Sequence, residues 1–168
     1  MSKLINTADM SIITSCLKNL SVSPSFISMK DFTQHGRTDC LFHSISVCCY
    51  SLAAAGRMPL RLDKKSLVKG ALLHDFFLYD WHTKDRSHRF HGFTHPAAAL
   101  TNAQKEWRLN EKEADIIRKH MFPLIPAVPR YRESLLVCLV DKFCSIIEIL
   151  RLPPNSQVKT IYLNTIGK

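Results

Sequence analysis

The sequence predicts an all-α fold, a compact helical bundle. Three observations carry that reading. Apolar residues recur at helical spacing in several segments bounded by caps and breakers. No segment makes a convincing strand. Glycine is scarce, with five in 168 residues, which disfavours β-rich and repeat architectures.

The elements follow in order. Residues 3–20 hold a weakly patterned helix. The stretch 21–36 (SVSPSFISMKDFTQHG) is serine-rich and carries Pro24 and Gly36, so it reads as loop. His35 within it reads as a surface residue. A helix runs from Thr38 or Asp39 to about Ala55 and stops at Gly56. Asp63 caps the next, to about Tyr79, with Leu67, Ala71, His74 and Leu78 on one stripe. Residues 80–94 are polar, aromatic and interrupted by breakers, and read as a long ordered loop. Pro96 suits the first turn of a helix to about Trp107. Asn110 with Glu113 has capping-box spacing and opens a helix to His120. Pro123, Pro126 and Pro129 prevent its continuation. Residues 131–150 make the strongest helix, ended by Pro153 and Pro154. The last 14 residues carry no clear assignment. No repeat or boundary divides the chain, so 1–168 is expected to form a single domain with its core at about 38–150.

Composition narrows the function. Hydrophobic residues at 46% and charged residues at 22% exclude a disordered, collagenous or coiled-coil chain. No apolar run reaches the ~18–20 residues of a membrane span. The N-terminus lacks a long apolar region and a small-residue cleavage site, so a cytoplasmic location is expected. The six cysteines show no C-x-x-C spacing and are expected to be reduced and buried. A net charge of +9 favours anionic partners, among them nucleic acid, nucleotides and phosphorylated metabolites.

Metal-type side chains stand where helices face inward. His43 shares a stripe with Val47, Tyr50 and Ala54. His74 and Asp75 lie in ALLHDFF, His95 in FTHPAAAL, His120 follows Ile116 and Ile117, and Asp141 interrupts LLVCLVDKFCSII. Taken singly, each histidine has an ordinary explanation as a packed core residue, and Asp141 as half of a salt bridge. An aspartate in so apolar a run is nonetheless costly unless it is paired or bound to a cation.

The ordered set His43, His74-Asp75, His95, His120, Asp141 resembles the HD superfamily of metal-dependent phosphohydrolases over about residues 38–150. The segments carrying the likeness are Phe42-His43-Ser44, Leu72-Leu73-His74-Asp75 and Val140-Asp141-Lys142. His95 and His120, between the HD pair and the last Asp, are similar to the two-metal branch. Within it the chain most resembles the bacterial HD-type hydrolases of symmetrical dinucleoside tetraphosphates. The resemblance implies a compact HD-domain helical bundle. It implies that His43, His74, Asp75 and Asp141 hold one divalent ion, and that Asp75 bridges to a second held by His95 and His120. A hydroxide shared between the ions would attack phosphorus in line. Imidazole and carboxylate ligands favour iron or manganese, with nickel, cobalt and zinc compatible.

The chain departs from many relatives at Leu78, where they carry a lysine. Lys142, Lys84 and Arg86 are the substitutes for a leaving-group acid, and Asp75 with Lys142 is the expected catalytic pair. Lys119 beside His120 and the lack of a GYP loop disfavour cyclic-dinucleotide hydrolysis. The 80–94 loop reads as a lid or substrate rim, with Lys84, Arg86 and Arg89 near phosphate. His82, His88, His91 and His95 form an alternative metal set, and His91 rivals His95 as a ligand. Arg130 and Arg132, beside the proline-rich loop, are candidates for phosphate contact through their planar forks.

Three function classes follow. The first is a metal-dependent phosphohydrolase acting on a nucleotide or other small phosphate ester or anhydride. The second is a non-enzymatic HD-domain nucleotide sensor or interaction module. The third, nucleic-acid binding, rests on net charge alone and ranks last, because no helix-turn-helix or RNA-binding motif is present.

Overall fold

A computed structural model describes residues 3–59, 61–81 and 90–167. The architecture is all-α, as expected. Helices α1 (Thr7–Leu20), the short α2 (Pro24–Ile27), α3 (Cys40–Ala55), α4 (Lys64–Leu73), α5 (His91–Glu106), α6 (Glu111–Lys119), α7 (Arg132–Ile149) and α8 (Ser156–Ile166) make up the fold. A 3-10 turn (Ser28–Asp31) follows α2. No described helix is long and apolar enough to cross a membrane.

Helix α3 is the axis of the molecule. Thirteen of its sixteen residues are buried, so it is apolar nearly all round and needs cover on every side. Helices α4, α7 and α8 pack against it, and α6 closes the bundle by contacting α4 and α7. Gly70 permits the α4–α6 approach, since a Cβ there would lie 2.9 Å from Ile116 Cβ. Caps set the starts of several helices. Asp39, Asp63 and Asn110 each accept an amide hydrogen three residues on, and Asn110 and Glu113 complete a reciprocal capping box. The six cysteines are free; five are buried and Cys16 is half-buried.

Three sequence expectations are corrected, and the unassigned C-terminal stretch receives a structure. The segment 21–36 is not all loop, because β1 (Thr33–His35) pairs antiparallel with β2 (Thr38–Asp39) across Gly36 at φ +60°. Ladders this short carry too few residues to show a two-residue period. Helix α4 ends at Leu73 rather than Tyr79. Asn102 donates to the carbonyls of Phe76 and Phe77, and Leu78 takes a left-handed φ of 59°, so the chain turns away from the helix axis. Helix α5 begins at His91, before Pro96, with Thr94 donating to the Phe90 carbonyl in its first turn. The C-terminal stretch forms α8, capped by Asn155, and Gln157 accepts from the amides of Leu4 and Ile5, tying the two chain ends together.

Candidate metal centre

Five elements converge on one buried cluster. Helix α3 delivers His43, and α7 delivers Asp141. The C-terminal end of α4 presents His74 and the following Asp75, the end of α6 presents His120, and α5 supplies His95. All six residues are at most 5% exposed.

Each imidazole is aimed by a hydrogen bond from its outer nitrogen. Nδ1 of His74 and of His120 each lies 2.8 Å from the carbonyl three residues back, Ala71 and Ile117. Nδ1 of His95 lies 2.9 Å from the His91 carbonyl. A carbonyl only accepts, so these nitrogens carry the proton and the Nε2 lone pairs face inward. Nδ1 of His43 donates to Glu148 Oε2 at 2.9 Å, while its Nε2 lies 3.0 Å from Asp141 Oδ1.

Asp75 stands in the middle with its two oxygens directed to different histidines. Oδ2 lies 3.2 Å from His74 Nε2 and 3.7 Å from His43 Nε2, and Oδ1 lies 3.3 Å from His95 Nε2 and 3.4 Å from His120 Nε2. The ligand atoms of His43, His74 and Asp75, of His74, His120 and Asp141, and of Asp75, His95 and His120 lie within 4.8 Å of one another in each trio. Gln34 on β1 donates to Asp75 Oδ2 and holds the carboxylate in this orientation.

The cluster fits divalent cations on its own chemistry. His74 Nε2 and Asp75 Oδ1 are buried without a hydrogen-bond partner. Nε2 of His95 and His120, both inward lone pairs, lie 2.8 Å apart. Acceptors crowded together out of water need positive charge between them. Protons answer that need in the metal-free protein. Burial opposes charge on His43 and His74, yet the surrounding carboxylates outweigh it. His43 is raised well above its ordinary range by Asp141 and Glu148, and His74 is pushed up to about 9 by Asp75 and Asp141. Against the same burial, those imidazoles hold Asp75 and Asp141 ionised, well below the usual carboxylate range. His120 moves the other way, lowered chiefly by burial.

A cleft of about 930 Å3 opens onto Asp75, His95, His120 and Asp141. Its outer wall is apolar, with Trp81, Phe90, Phe93, Met121, Pro123 and Leu124. His91 lines this wall, stacked between Trp81 (ring centroids 4.8 Å apart) and His95 (4.5 Å), with Nδ1 3.0 Å from the Tyr79 hydroxyl. Lys142 also lines the cleft. Its Nζ donates to the carbonyls of His120 and Cys138, at 2.9 and 3.2 Å, and contacts Cys138 Sγ.

The structure does not bring Arg130 and Arg132 to this cleft. Both are exposed. The Arg130 guanidinium lies over the Tyr131 ring, beside a separate shallow groove with Arg118 and Lys119, and Arg132 opens α7. Asp115 accepts the Arg130 amide and turns the proline-rich loop outward there. Lys84, Arg86, Arg89, His82 and His88 lie outside the described residues, so half of the alternative four-histidine set falls there too. Sequence reasoning missed Gln34 and Glu148 and placed His35 on the surface. His35 instead lines the cleft, edge-on to the His43 ring at 5.4 Å and paired with the Ser145 hydroxyl. No short-range pattern marks these three, because each acts through a partner distant in the chain.

No curated protein and no solved structure matches the chain significantly. The family model described as HD domain matches residues 41–146, a span that contains all six residues of the cluster. That span is more than half of the chain, and the chain belongs to the HD domain superfamily of metal-dependent phosphohydrolases.

Proposed function

We propose that the protein hydrolyses a nucleotide or another small phosphate ester or anhydride with the help of two divalent ions. The observation that carries this is Asp75, whose Oδ2 faces His74 and His43 while Oδ1 faces His95 and His120. In this reading His43, His74, Asp75 and Asp141 hold one ion, His95 and His120 hold the other, and Asp75 is shared. When bound, such ions lower the pKa of water, neutralise phosphate oxygens and favour in-line displacement. Iron or manganese suits the donor set best, and nickel, cobalt or zinc is compatible.

The chain's own residues do the rest. Gln34 and Glu148 fix Asp75 and His43, so the reacting phosphate meets a preset arrangement. The Trp81, Phe90 and Phe93 wall takes the organic part of the substrate and keeps bulk water from the cluster. A planar base suits that wall, which favours a nucleotide and keeps dinucleoside polyphosphates within the candidate range. His91 contacts the substrate from the same wall. Among the described residues, Lys142 is the cleft ammonium able to give a proton to the leaving group once it swings free of the His120 and Cys138 carbonyls.

That tethering favours a second reading, a nucleotide-binding sensor without turnover. Metal-loaded protein turning over bis(p-nitrophenyl) phosphate or a member of a nucleotide panel supports the hydrolase, provided folded His74→Ala and Asp75→Ala variants lose the activity. Nucleotide binding with no turnover by the two-ion protein overturns it and supports the sensor.

A further inference from the structure

Helix α7 buries one side against α3 and α6 and leaves the opposite side to solvent. On that outer side Leu135, Leu139, Phe143, Ile146, Ile149 and Leu150 are 47%, 59%, 51%, 57%, 61% and 64% exposed. At ~100° per residue, Leu135, Leu139, Phe143, Ile146 and Leu150 fall within a sector of about 80°. An ordinary surface helix carries charge on such a face. Here the three charged residues between 135 and 150 are all engaged elsewhere. Asp141 and Glu148 face His43, and Lys142 is tied to the carbonyls of His120 and Cys138. The stripe is therefore uncharged from Leu135 to Leu150, and the Tyr50 ring flanks it at Phe143.

We propose that two copies of this chain associate through α7, stripe against stripe, about a two-fold axis. Half-exposed Leu, Ile and Phe side chains leave on the order of 100 Å2 open each, roughly 600–700 Å2 per copy. A pair then buries roughly 1,300 Å2, within the ~1,200–2,000 Å2 that specific interfaces bury. A continuous apolar stripe is also self-complementary, as a two-fold contact requires. Apolar patches this large are uncommon on monomers. A lipid surface fits less well. Helices that lie on membranes carry a rim of Lys and Arg, and α7 has only Arg132 free at its start and the tethered Lys142.

Each copy carries +9, so the copies repel at long range and apolar burial drives the contact. Added salt screens that repulsion and tightens the dimer. Sedimentation of the full chain over the micromolar range should give twice the 19.2 kDa chain mass. Leu139→Lys and Ile146→Lys, checked for wild-type circular dichroism, should sediment as monomers. Val22→Lys, at an exposed apolar position outside α7, should stay dimeric. A wild-type monomer at every concentration and salt level overturns the proposal, including a monomer that co-sediments with phospholipid vesicles. A folded Leu139→Lys and Ile146→Lys pair that both remain dimeric also overturns it.

Discussion

The Nε2 atoms of His95 and His120 face each other across 2.8 Å, although each ring already commits its Nδ1 proton to a backbone carbonyl. Two imidazole nitrogens facing inward this close together, out of water, favour binding of a cation. Metal analysis of protein purified without chelator should find about two ions per chain. His95→Ala or His120→Ala should leave about one while the fold persists. Two ions per chain in either folded variant would contradict the assignment.

Ions and protons compete for the same nitrogens. His43 and His74 are raised above the ordinary histidine value, His74 to about 9, so the metal-free folded state holds protons that the unfolded chain releases. The stability that His74 contributes is full below about pH 6.5 and is lost as pH rises through about 9, and His43 adds to it in the same direction. The melting temperature of chelated protein should therefore fall across that window. Metal affinity should rise across it, with protons released on binding. Calorimetry in buffers of different ionisation enthalpy measures the release. A chelated protein whose melting temperature climbs from pH 6.5 to 9 would refute this account.

Glu148 sits one step outside the cluster, with Oε2 on His43 Nδ1 and Oε1 buried without a partner. Glu148→Ala removes the group that orients His43, which should weaken metal binding by about 10–100-fold. Glu148→Gln, which keeps an oxygen acceptor, should lose less. Competition with a metal-binding dye reads both variants. Equal affinities in wild type and Glu148→Ala would remove Glu148 from the site.

Gly70 lets α4 approach α6. A methyl group there would meet Ile116 at its Cδ1, Cβ and Cγ2 atoms, 2.5 to 3.0 Å away. Ile116 is fully buried and β-branched, so it yields little. Overpacking of this kind costs about 1–3 kcal/mol, partly offset by about 1 kcal/mol of helix propensity gained over glycine. Gly70→Ala should lower the melting temperature by a few degrees. Gly70→Val should lower it further, and an unchanged value for both would show that the helices can separate freely.

Much of the fold was legible from local chemistry. Asp39, Asp63 and Asn110 announce helix starts, because a short polar side chain satisfies free amides within three residues of itself. The six cluster residues were readable as metal-type side chains at inward-facing helical positions, and their resemblance to the HD superfamily grouped them as one set. Tertiary structure alone decided what those residues meet. Gln34 reaches Asp75 across 41 positions, and Glu148 reaches His43 across 105. Both read in isolation as ordinary polar residues. Arg130 and Arg132 lie near the site in sequence yet outside the cleft in space, because the loop before α7 is anchored to Asp115. The end of α4 was settled by Asn102, on α5, donating to the Phe76 and Phe77 carbonyls. Caps and periodicity act over one or two turns and so are written in the chain. Convergence of side chains depends on how whole helices pack, which no short stretch of sequence encodes.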